Sequence, residues 1–342
     1  MKKIVIIPAK NEEWILVKTL EAMSLFADHI IVADANSWDR TKEICLKFPK
    51  VVWVEAEKEF STTENRRQIL INKAREFGSD NLIFAFDADE IPTANIFFDQ
   101  KFWETVNNLK PGRSLALAWV MLWKSATHYR VDKSVWTDNY KPVIFRDDGK
   151  TNYAPGNVHE SRVPAGFDET AVNYEAVKIL HYSFALWDRM LSKQAHWRIM
   201  EFLKMGRSPL KINFRYGITK EEKGIKLAAL PETWVGVYKE KGIDVNHFDD
   251  RQLYWFDVEV LRLFEKNGAA HFRWLDIWDI NWEQKRTKAL ALSYAGVPKN
   301  PIKDPRGAVI KFYHWLLRLL PIGTILAWYS SLKGVFTRHG KA

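Results

Sequence analysis

The chain has 342 residues, 47% of them apolar and 27% charged, with 16 glycines and 13 prolines. That composition excludes disordered, collagenous and low-complexity classes and allows one large or two ordinary domains. A single cysteine, Cys45, excludes an internal disulfide framework and a multi-thiolate zinc site and agrees with a reducing compartment. The formal net charge is +9, of which residues 303–342 supply +6 through seven Lys and Arg against Asp304 alone. Charge gathered in a tail argues against a nucleic-acid groove across the body and for an anionic contact near the C-terminus, with solubility as the plainer alternative.

The opening segment has only four apolar residues, 4–7, before Pro8, too short for a signal-peptide core, so a cytoplasmic location is expected. Apolar, β-rich runs at 4–7, 29–33, 51–54, 82–86 and 115–123 are nearly continuous, as in strands buried on both faces. Helical spacing separates them at 12–26, at 39–48 behind Asp39 as a cap candidate, and at 61–77 behind a Ser-Thr-Thr-Glu capping-box pattern. This alternation predicts an α/β fold with a mainly parallel central sheet and flanking helices.

Beyond residue 135 shorter strands are expected at 142–146, 157–163 and 176–182, then helices at 186–205, 251–267 and 282–295. The expected division is a nucleotide-binding catalytic domain over 1–205, a helical extension over 206–302 on the acceptor side, and a basic C-terminal segment over 303–342.

The strand at 82–86 runs into Asp87-Ala88-Asp89-Glu90. Alternating strand side chains would bring Asp87 and Asp89 to one side, a hard-oxygen site for Mg²⁺ or Mn²⁺ completed by water and phosphate oxygens; the plainer alternative is acids capping a strand end. Two other strand ends carry polar loops, one with Asn11, Glu12 and Glu13, the other running from Asp34 through Asp39. Backbone amides and Asn11 suit base edges, Asp34 suits a ribose hydroxyl or a base N–H, and the acid pair suits a metal-bound diphosphate. No Gly-rich loop follows the first strand, which speaks against a P-loop triphosphatase or a dinucleotide-binding enzyme.

The segments IVIIPAKNEE, IIVADANSWDRT, the Asn65-Arg66 pair and FAFDADE, in this order, resemble the nucleotide-sugar half of family 2 glycosyltransferases with the Rossmann-like GT-A fold. The resemblance covers residues 3 to about 92, and through weaker signals reaches about 200. It implies inverting transfer from a nucleoside diphosphate sugar, a UDP-sugar first, to a glycan or lipid-linked acceptor in cell-surface polysaccharide or lipopolysaccharide biosynthesis. It implies nucleotide-sugar contacts from Pro8, Ala9, Asn11, Glu12, Asp34, Asp87 and Ala88. Asp89 and Asp87 would hold the metal, and Arg66, or the adjacent Arg67, would face the diphosphate.

An inverting transfer needs a base at the acceptor hydroxyl. The run Asn157-Val158-His159-Glu160-Ser161 resembles an acceptor-side His-Glu in bacterial branches of this family, making Glu160 the candidate base and His159 the second. His181, at the end of a later strand, is the candidate third metal ligand or a structural histidine, and an imidazole would favour Mn²⁺ over Mg²⁺.

The Trp-rich run 273–282 would either pack against its own domain or line an acceptor groove. Near the C-terminus, Lys311, His314 and Arg318 make a narrow polar stripe on an otherwise apolar helix, and the uncharged stretch 319–332 has 14 residues, short of the ~20 needed to span a bilayer. An interfacial anchor on anionic lipid is expected, and a packed C-terminal helix is the alternative. The rival functions are a sugar-phosphate nucleotidyltransferase and a non-enzymatic module that binds membrane or polyanion.

Overall fold

The structure, a computed structural model, describes residues 1–55, 66–134, 136–137, 139–154, 161–220, 224–248 and 253–320. In chain order come β1 (Lys3–Ala9), α1 (Leu16–Ser24), β2 (His29–Asp34), α2 (Thr41–Cys45), β3 (Val51–Glu55), α3 (Arg66–Arg75), β4 (Leu82–Ala85), β5 (Glu90–Pro92) and α4 (Gln100–Asn107). Next are β6 (Ser114–Met121), β7 (His128–Arg130), β8 (Tyr140–Arg146), β9 (Val172–His181), α5 (Trp187–Met205), α6 (Pro209–Gly217) and β10 (Leu227–Ala229). The described elements end with α7 (Glu232–Glu240), α8 (Trp255–Asn267), α9 (Trp282–Ala291) and α10 (Ala308–Leu319).

The main sheet has the order β3-β2-β1-β4-β8-β6-β9-β5. Its first four strands run parallel, as do β6 and β9, while β8 lies antiparallel between β4 and β6, and β5 closes the edge antiparallel to β9. The α/β class, the mainly parallel sheet with flanking helices and the helical C-terminal region are as expected.

Both faces of the parallel half are covered, which is why its strands read as unbroken apolar runs. Val5, Ile7, Ile30, Val32 and Phe84 face Leu16, Leu20 and Met23 of α1 and Phe102 and Val106 of α4. The alternate residues Ile4, Ile6, Ile31, Ala33 and Ile83 face Leu70, Ile71 and Ala74 of α3. Each fully buried side chain of this kind contributes about 1.5–3 kcal/mol.

The chain forms two compact units. One is made of 1–131, 136–185 and 227–249, the other of 132–135, 186–226 and 250–342. The linear division at 205 does not follow them: α5 belongs to the second unit, and 227–249 returns to the first. Its return is fixed by β10 pairing with β7 and by Tyr238 of α7, whose hydroxyl donates to the Pro92 carbonyl at 2.7 Å. The second unit is helical around Phe264, Phe272, Trp278 and Trp282. Trp278 lies flat against Phe264, centroids 5.4 Å apart, so Trp278 and Trp282 follow the packing alternative; Trp274 is part-exposed.

Local differences have local causes. Residues 161–163, the end of an expected strand, form no strand. Asp39 does not cap α2 as its N-cap residue, which is Arg40; the Asp39 carboxylate instead accepts from the amides of Thr41 and Glu13. The capping-box run 61–64, His159 and Glu160, and the stretch beyond residue 320 lie outside the described residues.

Candidate functional site

The carboxyl ends of β1, β2 and β4 gather the expected residues, as parallel sheets place ligand-binding loops. Register pairs Pro8 with Ala33 and Ala9 with Asp34, so the loops after β1 and β2 leave the sheet side by side. A chain of hydrogen bonds joins them. The Asn11 amide donates to Ser37 Oγ at 2.7 Å, and Ser37 donates through its amide and hydroxyl to the two Asp34 oxygens at 2.9 and 2.5 Å. Asn11 Oδ1 accepts from the amides of Trp38 and Asp39 at 2.9 and 3.3 Å.

Asn11 has φ +53°, in the left-handed region that asparagine tolerates better than most residues. Its Nδ2 is buried and has no hydrogen-bond partner among the described residues. Each Asp34 oxygen keeps a second lone pair beyond its bond to Ser37. The Glu12 amide donates to Thr41 Oγ1, and the Glu12 carboxylate accepts from the Trp14 indole at 2.6 Å.

The acidic segment departs from the alternating-strand expectation. Strand β4 stops at Ala85 and a turn intervenes, with the Glu90 amide donating to the Asp87 carbonyl. Asp87 and Asp89 therefore do not project from one strand face. Arg67 Nη2 donates to Asp87 Oδ1 at 2.6 Å and Arg162 Nη2 to Asp87 Oδ2 at 2.6 Å. Arg162 also forks onto Glu90 at 2.5 and 2.7 Å, and Glu90 accepts from the Asp87 amide. Burial works against the Arg162 charge, but Asp87 and Glu90 outweigh it and hold its pKa above the usual arginine value.

Ala88 is buried, and its carbonyl accepts from Thr19 Oγ1 of α1 at 2.7 Å. Asp89 sits elsewhere than Asp87. Because β5 pairs Glu90 with His181, Asp89 meets the end of β9, where His181 Nε2 is 3.7 Å from Asp89 Oδ1. The other His181 ring nitrogen is 3.3 Å from the Met121 sulfur, and the ring stacks on Trp119 at 4.5 Å. The guanidinium of Arg162 and the ammonium of Lys141 lie 5.0 and 4.9 Å from the same indole centroid. Burial and then the Arg162 charge lower the Lys141 pKa.

A divalent metal therefore has a smaller donor set than the sequence suggested. Among the described residues no group of three or more His, Cys, Asp or Glu is arranged to hold an ion. Asp87 spends both oxygens on arginines, so the Asp87–Asp89–His181 triad is not assembled. Asp89 and His181 are close enough to serve as two donors, within the one or two protein ligands that Mg²⁺ or Mn²⁺ takes beside phosphate and water.

Sequence reasoning also missed residues. Arg162 and Glu90 complete the Asp87 cluster, and Trp119 bridges it to His181. Arg67, the alternative to Arg66, is the arginine that reaches Asp87, while Arg66 is half-buried beside it. Cys45 is buried; that burial, with Asp34 nearby, pushes its thiol up to about 12 and removes it as a nucleophile.

Residues 4–111 match the model of glycosyl transferase family 2. No curated protein matches the chain. Among solved structures it is similar to a 4-diphosphocytidyl-2C-methyl-D-erythritol synthase, at 16% identity over 43% of this chain and 76% of that one, with TM-score 0.28. It is also similar to glucosyl-3-phosphoglycerate synthase from Mycobacterium tuberculosis, at 18% identity over 36% of this chain and 44% of that one, TM-score 0.25. A third is mannose-1-phosphate geranyltransferase from Thermus thermophilus, at 11% identity over 62% of this chain and 67% of that one, TM-score 0.26. At these scores the structural likeness assigns no activity to this chain.

Proposed function

We propose that this chain is an inverting glycosyltransferase that moves a sugar from a nucleoside diphosphate sugar, a UDP-sugar first, to a hydroxyl of a glycan or lipid-linked acceptor. The observation that carries the reading is the joined pair of loops in which Asp34, Ser37 and Asn11 are linked at the ends of adjacent parallel strands, within the stretch that matches the family model. Asn11 Nδ2 is a buried donor available to a base carbonyl, and the spare Asp34 lone pairs suit a ribose hydroxyl or a base N–H.

In this reading Pro8, Ala9, Glu12 and Ala88 shape the nucleotide site. Arg67 and Arg162 orient Asp87, which is placed on the ribose side. Asp89 and His181 would hold Mn²⁺ or Mg²⁺, which when bound neutralises charge on the departing diphosphate. Arg66 contributes positive charge on the diphosphate side. Glu160, with His159 as its alternative, takes the acceptor proton as the hydroxyl oxygen attacks the anomeric carbon from the face opposite the diphosphate. We place this work at the cytosolic face of a membrane, in cell-surface polysaccharide or lipopolysaccharide synthesis, with the basic C-terminal charge as support. No described helix is long and apolar enough to cross a bilayer.

Calorimetry of UDP binding with and without Mn²⁺, on the wild-type chain and on Asp89→Ala, tests the reading. Metal-dependent binding that weakens at least tenfold in the variant is expected. No binding of UDP, GDP or dTDP under either condition overturns it, and pyrophosphate release from a nucleoside triphosphate with a sugar phosphate would replace it with nucleotidyl transfer.

A further inference from the structure

Helix α10 is amphipathic in the reverse of the usual sense. A helix on a globular protein turns its polar stripe to water and its apolar face inward. In α10 two residues of the polar stripe, His314 and Arg318, are on the attached side, while Lys311 is exposed. His314 is 2% exposed, its Nε2 3.0 Å from the Trp274 carbonyl oxygen and its Nδ1 3.2 Å from Arg306 Nη1. Arg318 Nη2 donates to Asp276 Oδ1 at 2.7 Å and to Asp279 Oδ2 at 2.6 Å. Ile310, one turn before His314, is buried as well.

The outward face is apolar. Val309 is 75% exposed, Phe312 60%, Trp315 54%, Leu316 46% and Leu319 60%. At about 100° per residue, these five and Leu320 fall within an arc of roughly 140°. Phe312 and Trp315 stand side by side, centroids 5.5 Å apart. Scattered exposed apolar residues need no explanation, but a contiguous helical face of them marks an interaction surface.

We propose that this face docks on an anionic lipid bilayer, lying in its interfacial layer. Lys311 on the helix and Lys303 in the segment before it are exposed, and the chain from 303 onward carries seven cations against one acid. A second copy of the chain seated here would set two such basic segments against each other, whereas acidic headgroups complement them. Phe312 and Trp315 have the side chains favoured at the headgroup boundary. Twelve helical residues extend about 18 Å, enough to lie along the surface and too short to cross it. The Asp276 and Asp279 anchors hold the helix by its polar side and leave the apolar side for lipid.

The inference rests on the membrane part of the proposed function and is independent of the sugar chemistry. Co-sedimentation of the full chain with vesicles, phosphatidylglycerol-containing against phosphatidylcholine alone, tests it. The wild type is expected to sediment with the anionic vesicles. The double variant Phe312→Ser/Trp315→Ser, altered only at exposed side chains and checked for an unchanged melting temperature, loses at least tenfold in affinity. Phe312→Leu/Trp315→Phe retains binding, and Lys303→Glu/Lys311→Glu loses the preference for anionic lipid, about fivefold per lysine. Absence of wild-type binding, or equal binding by the serine variant, overturns the proposal; so does a wild-type dimer that the serine variant dissolves into monomers. Asp89→Ala is expected to keep vesicle binding, so a failure of the donor-site reading and a failure of this one are read separately.

Discussion

Two buried ionic clusters, one in each unit, are built from the same residue types and do different things. Around Asp87, Arg67 and Arg162 neutralise a carboxylate that remains 36% exposed, at the end of a parallel strand. Around Asp276, Lys220 Nζ donates at 2.9 Å, Arg318 at 2.7 Å, and Arg198 donates to the Asp276 main-chain carbonyl, while the carboxylate itself is 8% exposed. Burial opposes the Asp276 charge, but Lys220, Arg198 and Arg318 outweigh it and hold its pKa well below the carboxylate range. The first cluster can meet a ligand; the second is closed and fastens a helix. A cluster of acids and bases is thus no site by itself, since access and position at the strand ends distinguish the two.

The sharpest way to break this comparison is Arg162→Met. It leaves Glu90, which is fully buried, and half of Asp87 without their cation, and removing one partner of a buried pair costs about 3–5 kcal/mol. Chemical denaturation should show a loss of that size, together with loss of UDP binding. Asp276→Ala removes the buried carboxylate that Lys220 and Arg318 share, leaving them Asp279 alone, and should cost about 3 kcal/mol, yet leave UDP affinity within twofold. A large drop in affinity there would erase the distinction between the clusters.

The smallest effect expected is a pH dependence at His314. Burial lowers its pKa, the Trp274 carbonyl and Asp276 partly oppose that, and Arg306 and Arg318 add to it. Between the lowered folded value and the ordinary value near 6.5, the unfolded chain binds more protons, so stability rises with pH and levels off above about 6.5. Melting temperatures at pH 5.5 and 7.5 should differ in that direction, and His314→Gln should flatten the difference.

Much of the first unit was legible in the sequence. Strands buried on both faces announce themselves as β-branched runs, and the polar groups that follow them fall at the ligand-binding edge because parallel strands all end there. Elements without a periodic pattern were not legible. Strands β5, β7 and β10 have three residues each, too few to show alternation, and α4, α6 and α7, with eight or nine residues each, offer only about two turns of apolar pattern. The Trp278 and Trp282 packing was foreseen as one of two alternatives, and only burial separated them.

The sequence alone determined the α/β class, the alternation of strands and helices from β1 to β4, and which acids and amides stand at the strand ends, since all of these follow from local periodicity and composition. Tertiary structure decided what those groups face. Arg162 reaches Asp87 across 75 residues, Asp89 meets His181 because a three-residue strand pairs with the end of β9, and α10 shows its apolar side because Asp276 and Asp279 hold the polar one. These are pairings between distant segments. The charge of a residue is written in the chain, but its partner is set by whichever neighbour packing brings within hydrogen-bond reach.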